Sequence, residues 1–398
     1  MGHILLPVKE SEQRITAFQN ALQQHHLDGA IVVGTTNMYY LSGTMQSGAL
    51  YVPAAGPAIL MVRRSLERAQ IESPMQNIVP FSSYRAFHDI LQQFGLPTPA
   101  TIGVEYSMPM DAFGRMEKYV KGTFKDIQGL LAKCRSRKTA YEIDLLFEAG
   151  RRHVENFSRI PSLFRGNMTE LELGAAIEYQ MLLLGHHGMS NIQTWGNRLH
   201  IGYVSAGDSG YYPHMFDGPG GCKGICPAVP ELGSQRPINK DEPVLIDLAF
   251  GYQGYHVDMT RIFCRGKLPQ EALDAQKRCI EVQQWVAEKL KPGNVPSQIY
   301  QDIMERLKAL NWDEHFMGYG DRAVKFLGHG VGLAVDEYPA IAKGFDEPLE
   351  AGMTLAVEPK KVIPGLGVVG IENTWLIMEN GDARKMTEMD DEIQVLPT

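Results

Sequence analysis

Cysteine is scarce in this sequence. Five residues in 398, an odd number, do not make a disulfide scaffold, and such a count suits a reducing, cytoplasmic setting. The closest pair, Cys222 and Cys226 in GGCKGICP, has only His214 near it in sequence, too few ligands for a closed structural zinc site. Long apolar runs are also missing. Nothing approaches the ~20 consecutive apolar residues of a membrane span, and the opening MGHILLPVKESEQR has no signal-peptide h-region. Leu6 stands where a myristoylated Met-Gly start needs Ser or Thr. Finally, there is no surplus of positive charge. A net charge of −8 argues against nucleic acid or an anionic membrane as partner and fits a small-molecule or peptide substrate.

What is present is an ordinary globular composition, 44% hydrophobic and 21% charged. The length exceeds one core and implies two domains. Residues 1–135 read as an α/β unit. SEQRITAFQNALQQHHL has helical spacing with Ser11 as its expected cap, GAIVVG is a buried strand, and TNMYYLSG is expected to be a turn. ALYVP, AILMV and IGVE are further strands, and MDAFGRMEKYV is a helix weakened by Gly114. From residue 136 the pattern changes. A long helix starts near Thr139, a second covers TELELGAAIEYQMLLLG, and a helix pair follows at QEALDAQKRCIEVQQWVAEKL and PSQIYQDIMERLKAL. Short strands and Gly-rich turns fill the remainder, so residues 136–398 are expected to be α+β, an antiparallel sheet with flanking helices. The run from Asp217 to Ser234 reads as a long irregular loop, a kind of segment that is usually functional or mobile.

The most informative segment is PVLIDLAFGYQGYHVDMTRIF, two apolar runs around GYQG. Centring the turn on Tyr252 and Gln253 places Asp247 directly opposite Asp258, with Cβ atoms ~5 Å apart. Two such carboxylates in apolar strands repel each other and need an offset. A shared proton or a cation would supply it, unless one of the pair faces solvent or the register slips by one. Downstream, MTLAVEPKKVIPGLGVVGIENTWLIM is a second hairpin that carries Glu358 and Glu372, again inside apolar runs. Between the hairpins, KFLGHGVGLAVDEYP sets His329 among glycines. Four carboxylates and one imidazole exceed the ligand set of a single structural zinc. They suit two ions ~3.5–4 Å apart, with manganese, iron or cobalt favoured and zinc allowed.

The order Asp247, Asp258, His329, Glu358, Glu372, with the strings LIDLAFGYQGYHVDMTR, GHGVGL, LEAGMTLAVEP and GIENT, resembles the aminopeptidase P, prolidase and creatinase-type group of pita-bread metallopeptidases. RSRKTAYEIDLLFEAG resembles that group's entry helix, and LDGAIVVGTTNMYYLSG its creatinase-like N-terminal domain. The resemblance implies a pita-bread catalytic domain over 136–398 preceded by a smaller α/β domain over 1–135. It implies a cytoplasmic homodimer with two divalent ions per chain, manganese first among them. It also implies a bridging water that attacks a peptide carbonyl, commonly at an Xaa-Pro bond. By position, Asp247 would bind one ion and His329 the other, Asp258 and Glu372 would bridge, and Glu358 would ligate and shuttle a proton. His214 would donate a hydrogen bond to the substrate carbonyl.

Three departures bear on the substrate. Asp336 stands where the group has a second histidine, and an ionised acid cannot donate a hydrogen bond, though it can hold a substrate cation. Gly370 stands where the group has an arginine, two residues before the last glutamate. His214 lies farther before Asp247 than the pattern expects, and the Gly/Cys-rich loop accounts for the excess. Tyr211 and Tyr212 are candidates to line the substrate pocket. His256 shares the face of Asp258 and reads as a supporting residue, and His186 and His187 read as caps at a helix end. The alternatives to an Xaa-Pro peptidase are a relative acting on a non-peptide C–N or C–S bond and, in another class, a non-catalytic binding protein. The retained five-residue set speaks against the latter.

Overall fold

The computed structural model describes residues 4–191, 198–213 and 218–397. They form two compact units, the first ending at Arg135 and the second starting at Ser136. No helix among them is long and apolar enough to cross a membrane.

The first unit opens with the helix Val8–Gln24, which has Pro7 at its N-cap. Ser11, the expected cap, lies a turn inside, where its hydroxyl donates to Leu41 O at 2.7 Å. Thr35–Ser42 is a short helix rather than the expected turn. It buries Met38, Tyr40 and Leu41, and this burial outweighs the modest helix propensity of Thr and Tyr. Gly43, at φ 75°, ends it in the left-handed region that glycine adopts without penalty. The six-stranded sheet has the order Ile78–Pro80, Ile59–Val62, Gly48–Pro53, Gly29–Val32, Thr101–Val104, Thr123–Asp126. It is mixed, with Gly29–Val32 antiparallel to one neighbour and parallel to the other.

In the second unit two helices come first, α1 (Ala140–Leu163) and α2 (Glu170–Leu183). Both begin in a capping box, Thr139 with Glu142 and Thr169 with Glu172, each threonine contributing about 1 kcal/mol. Three strands follow: β1 (Gly202–Ala206), β2 (Pro243–Tyr252) and β3 (Tyr255–Cys264). With Gln394–Val395 beside β3 they form a four-stranded sheet. The apolar face of α1 packs on it. His153 Nε2 donates to Leu248 O at 2.7 Å, and Phe157 stacks on Phe263 with centroids 6.4 Å apart. Truncating Phe157 to Ala would cost about 3–5 kcal/mol.

Helices α3 (Gln270–Ala287) and α4 (Pro296–Ala309) precede the remaining strands. These are β4 (Phe326–Gly330), β5 (Glu337–Ala342), β6 (Thr354–Val357), β7 (Lys360–Ile363), β8 (Gly367–Gly370) and β9 (Asn373–Ile377). A five-stranded sheet has the order β5-β4-β6-β9-(Ala383–Lys385). Val282, Val286, Ile299 and Ile303 of the two helices share a core with Leu355 and Trp375 of this sheet. Strands β7 and β8 form a separate ribbon, yet it continues the same register. Val357 pairs with Asn373 and Lys360 with Gly370, so only Glu358–Pro359 and Ile371–Glu372 interrupt one long ladder. Pro359 has no N–H to give such a ladder.

Candidate metal centre

The first hairpin has a different register from the one expected. Tyr252 pairs with Tyr255, so the turn centre is Gln253–Gly254. Both residues have positive φ, 51° and 93°, as a two-residue turn of type I′ demands. Tyrosine is poorly suited to such a position, so the turn moves along by one residue. Asp247 therefore faces Thr260, and Asp258 faces Ala249. The two aspartates are diagonal neighbours rather than direct partners. They keep a common face, because the offset between them is two residues.

His329 enters from β4, between partners on β5 and β6. Glu358 and Glu372 stand across from each other at the ladder interruption. An isolated bridge from Thr260 to Glu372 brings the two hairpins together there. Arg261, fully buried, clips the junction by donating to Glu372 O at 2.9 Å and to Asn373 Oδ1 at 2.9 Å. All five expected residues thus meet in one place. They line a cavity of about 30 Å³ together with Leu199, Gly202, Tyr203, Ala249 and two glycines of the long loop, Gly218 and Gly220.

Two groups of side chains in this cluster could hold an ion, one being Asp258, His329 and Glu372 and the other Asp247, Glu358 and Glu372. In the first group His329 Nε2 lies 3.4 Å from Glu358 Oε1 and 3.8 Å from Glu372 Oε1, and its Nδ1 is 3.1 Å from Gly330 O. With Nδ1 donating to that carbonyl, Nε2 faces the carboxylates and would ligate an ion once its own proton has left. Glu372 Oε1 is buried and has no hydrogen-bond partner among the described residues. Burial, then the charge of Asp247, pushes Asp258 up to about 7. Burial and the charges of Asp258 and Glu358 push Glu372 well above the carboxylate range. Burial alone would lower His329, but its hydrogen bond with Glu358 and the charges of Asp336, Glu358 and Glu372 raise it well above its ordinary value. An orphaned oxygen, crowded carboxylates and an imidazole directed at them fit a divalent cation.

The second group already holds a cation. Lys360, fully buried, places Nζ 2.8 Å from Asp247 Oδ2, 2.7 Å from Glu358 Oε2 and 3.4 Å from Glu372 Oε2. Burial would raise Asp247, yet the charge and hydrogen bond of Lys360, with hydrogen bonds from Tyr203 and Thr260, hold it below its usual value. Thr260 Oγ1 also donates to Glu372 Oε2 at 2.8 Å. Lys360, Tyr203 and Thr260 were absent from the residues singled out in the sequence. One signal was available for the lysine, since it follows Glu358 by two residues in an apolar run and so shares its strand face.

The other expected residues are scattered. His214 lies outside the described residues. Tyr212 is exposed, with the Lys223 ammonium 5.3 Å from its ring centroid. Tyr211 donates its hydroxyl to Ile363 O at 2.6 Å and stacks on Tyr319. Neither tyrosine lines the cavity. Asp336 is exposed on the β4–β5 connection, and its charge acts on His329. His256 is buried, its Nδ1 3.2 Å from Gly332 O. His186 closes its own helix through its backbone N–H, which donates to Met181 O at 3.0 Å, while the two imidazole rings turn elsewhere. They accept from the backbone of the first hairpin, His186 Nδ1 from Gly251 N at 2.9 Å and His187 Nε2 from Gly254 N at 3.0 Å. Cys222 is buried and Cys226 exposed, both as free thiols. The loop after residue 217 is fixed by Glu170, which accepts from Ser234 N, Ser234 Oγ, Ser209 Oγ and Ala206 N.

Comparison with known proteins gives this cluster its context. Residues 144–379 match the model of metallopeptidase family M24, and residues 14–137 match the creatinase/prolidase N-terminal domain. The chain belongs to metallopeptidase family M24. An Xaa-Pro dipeptidase of Pyrococcus furiosus is 27% identical to it over 390 residues, covering 97% of this chain and 100% of the relative. Among solved structures, the prolidase of Pyrococcus horikoshii OT3 superposes with a TM-score of 0.79 at 22% identity, over 95% of this chain and 99% of that one. The dipeptidase PepE of Mycobacterium ulcerans gives 0.81 at 22% identity, over 99% and 100%. This M24 member has the two-domain pita-bread fold with a creatinase-like N-terminal domain, as expected from the sequence, and it is a metallopeptidase.

Proposed function

We propose that this M24 enzyme hydrolyses the bond before proline in short Xaa-Pro peptides, dipeptides first. Divalent ions would be held by Asp247, Asp258, His329, Glu358 and Glu372, with two as the full complement and manganese the first to try. The observation that carries the reading is the convergence of these five side chains on one small cavity, where Glu372 Oε1 has no hydrogen-bond partner among the described residues. The Xaa-Pro dipeptidase name of a relative matched over nearly the whole chain supports the substrate class. Bound ions supply Lewis acidity, which acidifies water and offsets the charge growing on the scissile carbonyl.

The chain's own residues do the rest. Glu358, 3.4 Å from His329 Nε2, is placed to accept a proton from water and pass it to the leaving nitrogen. Thr260 and Tyr203 hold Glu372 and Asp247 in orientation through hydrogen bonds. His214 would donate to the substrate carbonyl. Leu199 and the loop glycines Gly218 and Gly220 limit the space beside the carboxylates, which supports short substrates. The reading assigns no part to Tyr212 or Asp336. It includes a homodimer, which sedimentation would check.

The test is a panel of Xaa-Pro dipeptides, Xaa-Pro-Xaa tripeptides and Xaa-Ala controls, offered to metal-free protein reloaded with Mn²⁺ or Co²⁺. Turnover of the dipeptides above all others is the expected result. Preference for the tripeptides would make the enzyme an aminopeptidase P type. No peptide turnover with ions bound would overturn the peptide assignment and move the search to small molecules with a C–N or C–S bond.

A further inference from the structure

The glycine at 370 and the lysine at 360 are one structural change. They face each other across the β7–β8 ribbon. A Cβ built on Gly370 would lie 2.7 Å from Lys360 Cγ, 2.7 Å from Lys360 Cα and 2.6 Å from Pro359 O. A side chain at 370 would therefore meet the facing backbone first and the base of the Lys360 stem with it, so the rung admits only glycine opposite the lysine. Where the family resemblance places an arginine, this chain has no side chain, and the positive charge arrives from the opposite strand. It arrives directly among the carboxylates. Its three partners, Asp247, Glu358 and Glu372, are the same three residues that could form the second ion-holding group.

We propose that the Lys360 ammonium is a resident competitor for the second metal position, so that this enzyme binds one divalent ion tightly and a second only by displacing the lysine. The proposal rests on the reading of the five-residue cluster as a metal centre. The two halves are not equivalent before any ion arrives. Asp258, His329 and Glu372 Oε1 present an acceptor set with no ammonium on it. Asp247 Oδ2, Glu358 Oε2 and Glu372 Oε2 are each within 3.4 Å of a buried cation. An ion entering there must break these contacts and leave a buried ammonium to find new acceptors, a costly step in a dry interior. An ion entering the first half breaks none of them. The ammonium also offsets negative charge on the carboxylates it touches, which lowers the electrostatic gain from a second ion.

The experiment is a titration of metal-free full-length protein with Mn²⁺, followed by calorimetry and by electron paramagnetic resonance, which separates isolated from coupled Mn²⁺ ions. Wild type is expected to bind one equivalent with an isolated-ion spectrum and a second at least tenfold more weakly, with coupling only at excess metal. Lys360→Met should strengthen the second equivalent at least tenfold while the first changes by less than threefold. Lys360→Arg, which keeps the charge, should keep the wild-type gap. Wild type binding two equivalents alike would overturn the proposal, even if the methionine variant failed to fold. So would a Lys360→Met variant whose second ion binds as weakly as, or more weakly than, in wild type. Absence of tight binding in every variant is a different result, which overturns the metal-centre reading itself and the proposal with it.

Discussion

Two halves of one acidic cluster differ in what offsets their charge. On the Asp258 and His329 side the carboxylates are crowded, Asp258 is pushed up to about 7 and Glu372 Oε1 has no hydrogen-bond partner among the described residues. On the Asp247 and Glu358 side an ammonium lies within 3.4 Å of three carboxylates, and Asp247 is held below its usual value. The ligand types are nearly the same. The difference comes from one side chain on the facing strand. The lesson is that a ligand set does not by itself fix how many ions a site holds, because an internal cation can satisfy part of it.

Several substitutions would break or sharpen this contrast. The largest effect is expected at Glu372, which serves both halves. Glu372→Gln should lower kcat/KM by about 10³-fold or more and weaken both ions in a calorimetric titration. Loss of only one ion would show that the halves do not share it. Thr260→Val removes the hydrogen bond to Glu372, the residue both halves share. Metal affinity should fall about 10–100-fold in both halves, and an unchanged affinity would make Thr260 a packing residue only. Tyr203→Phe removes the hydrogen bond to Asp247. The second ion should weaken about tenfold with the first unaltered, and a loss confined to the first would reverse the assignment of the halves.

The smallest effect concerns the histidine outside the cluster. His153 is fully buried, and burial lowers it to about 3, whereas His329 is raised among its carboxylates. A histidine with a depressed value is neutral when folded and takes up a proton on unfolding below its ordinary 6.5. Its contribution to stability is complete above that pH and is lost as pH falls toward about 3, at up to about 1.4 kcal/mol per pH unit. Denaturant unfolding of metal-free His153→Gln should therefore show a shallower decline between pH 6.5 and 4.5 than wild type. Identical slopes would remove His153 as a source of acid sensitivity.

Much of this was legible in the sequence where local chemistry and tertiary outcome agree. The helices expected from near Thr139 and over TELELGAAIEYQMLLLG stand there, and the spacing of Asp, Asp, His, Glu, Glu named all five residues of the cluster. The misreadings have physical causes. The hairpin register depended on which two residues could take positive φ, and GYQG offers more than one choice until backbone conformation decides. Thr35–Ser42 became a helix because burial of Met38 and Leu41 is a tertiary effect. Lys360 escaped notice because EPKK reads as a solvated basic pair. Only the facing strand, with no side chain at 370, shows where the first of the two lysines goes.

The rung shared by Lys360 and Gly370 also constrains inheritance. A bulky side chain at 370 with the lysine retained would collide with its stem, while glycine at 370 without the lysine would leave the Asp247 side with no ammonium. The first step is opposed by the close approach of the two strands and the second would change how many ions the centre holds, so the two positions should vary together. Among M24 chains, a lysine aligned with 360 should travel with glycine at 370, and the pair could serve as a two-letter marker for a branch that has rebuilt its metal centre around an internal cation.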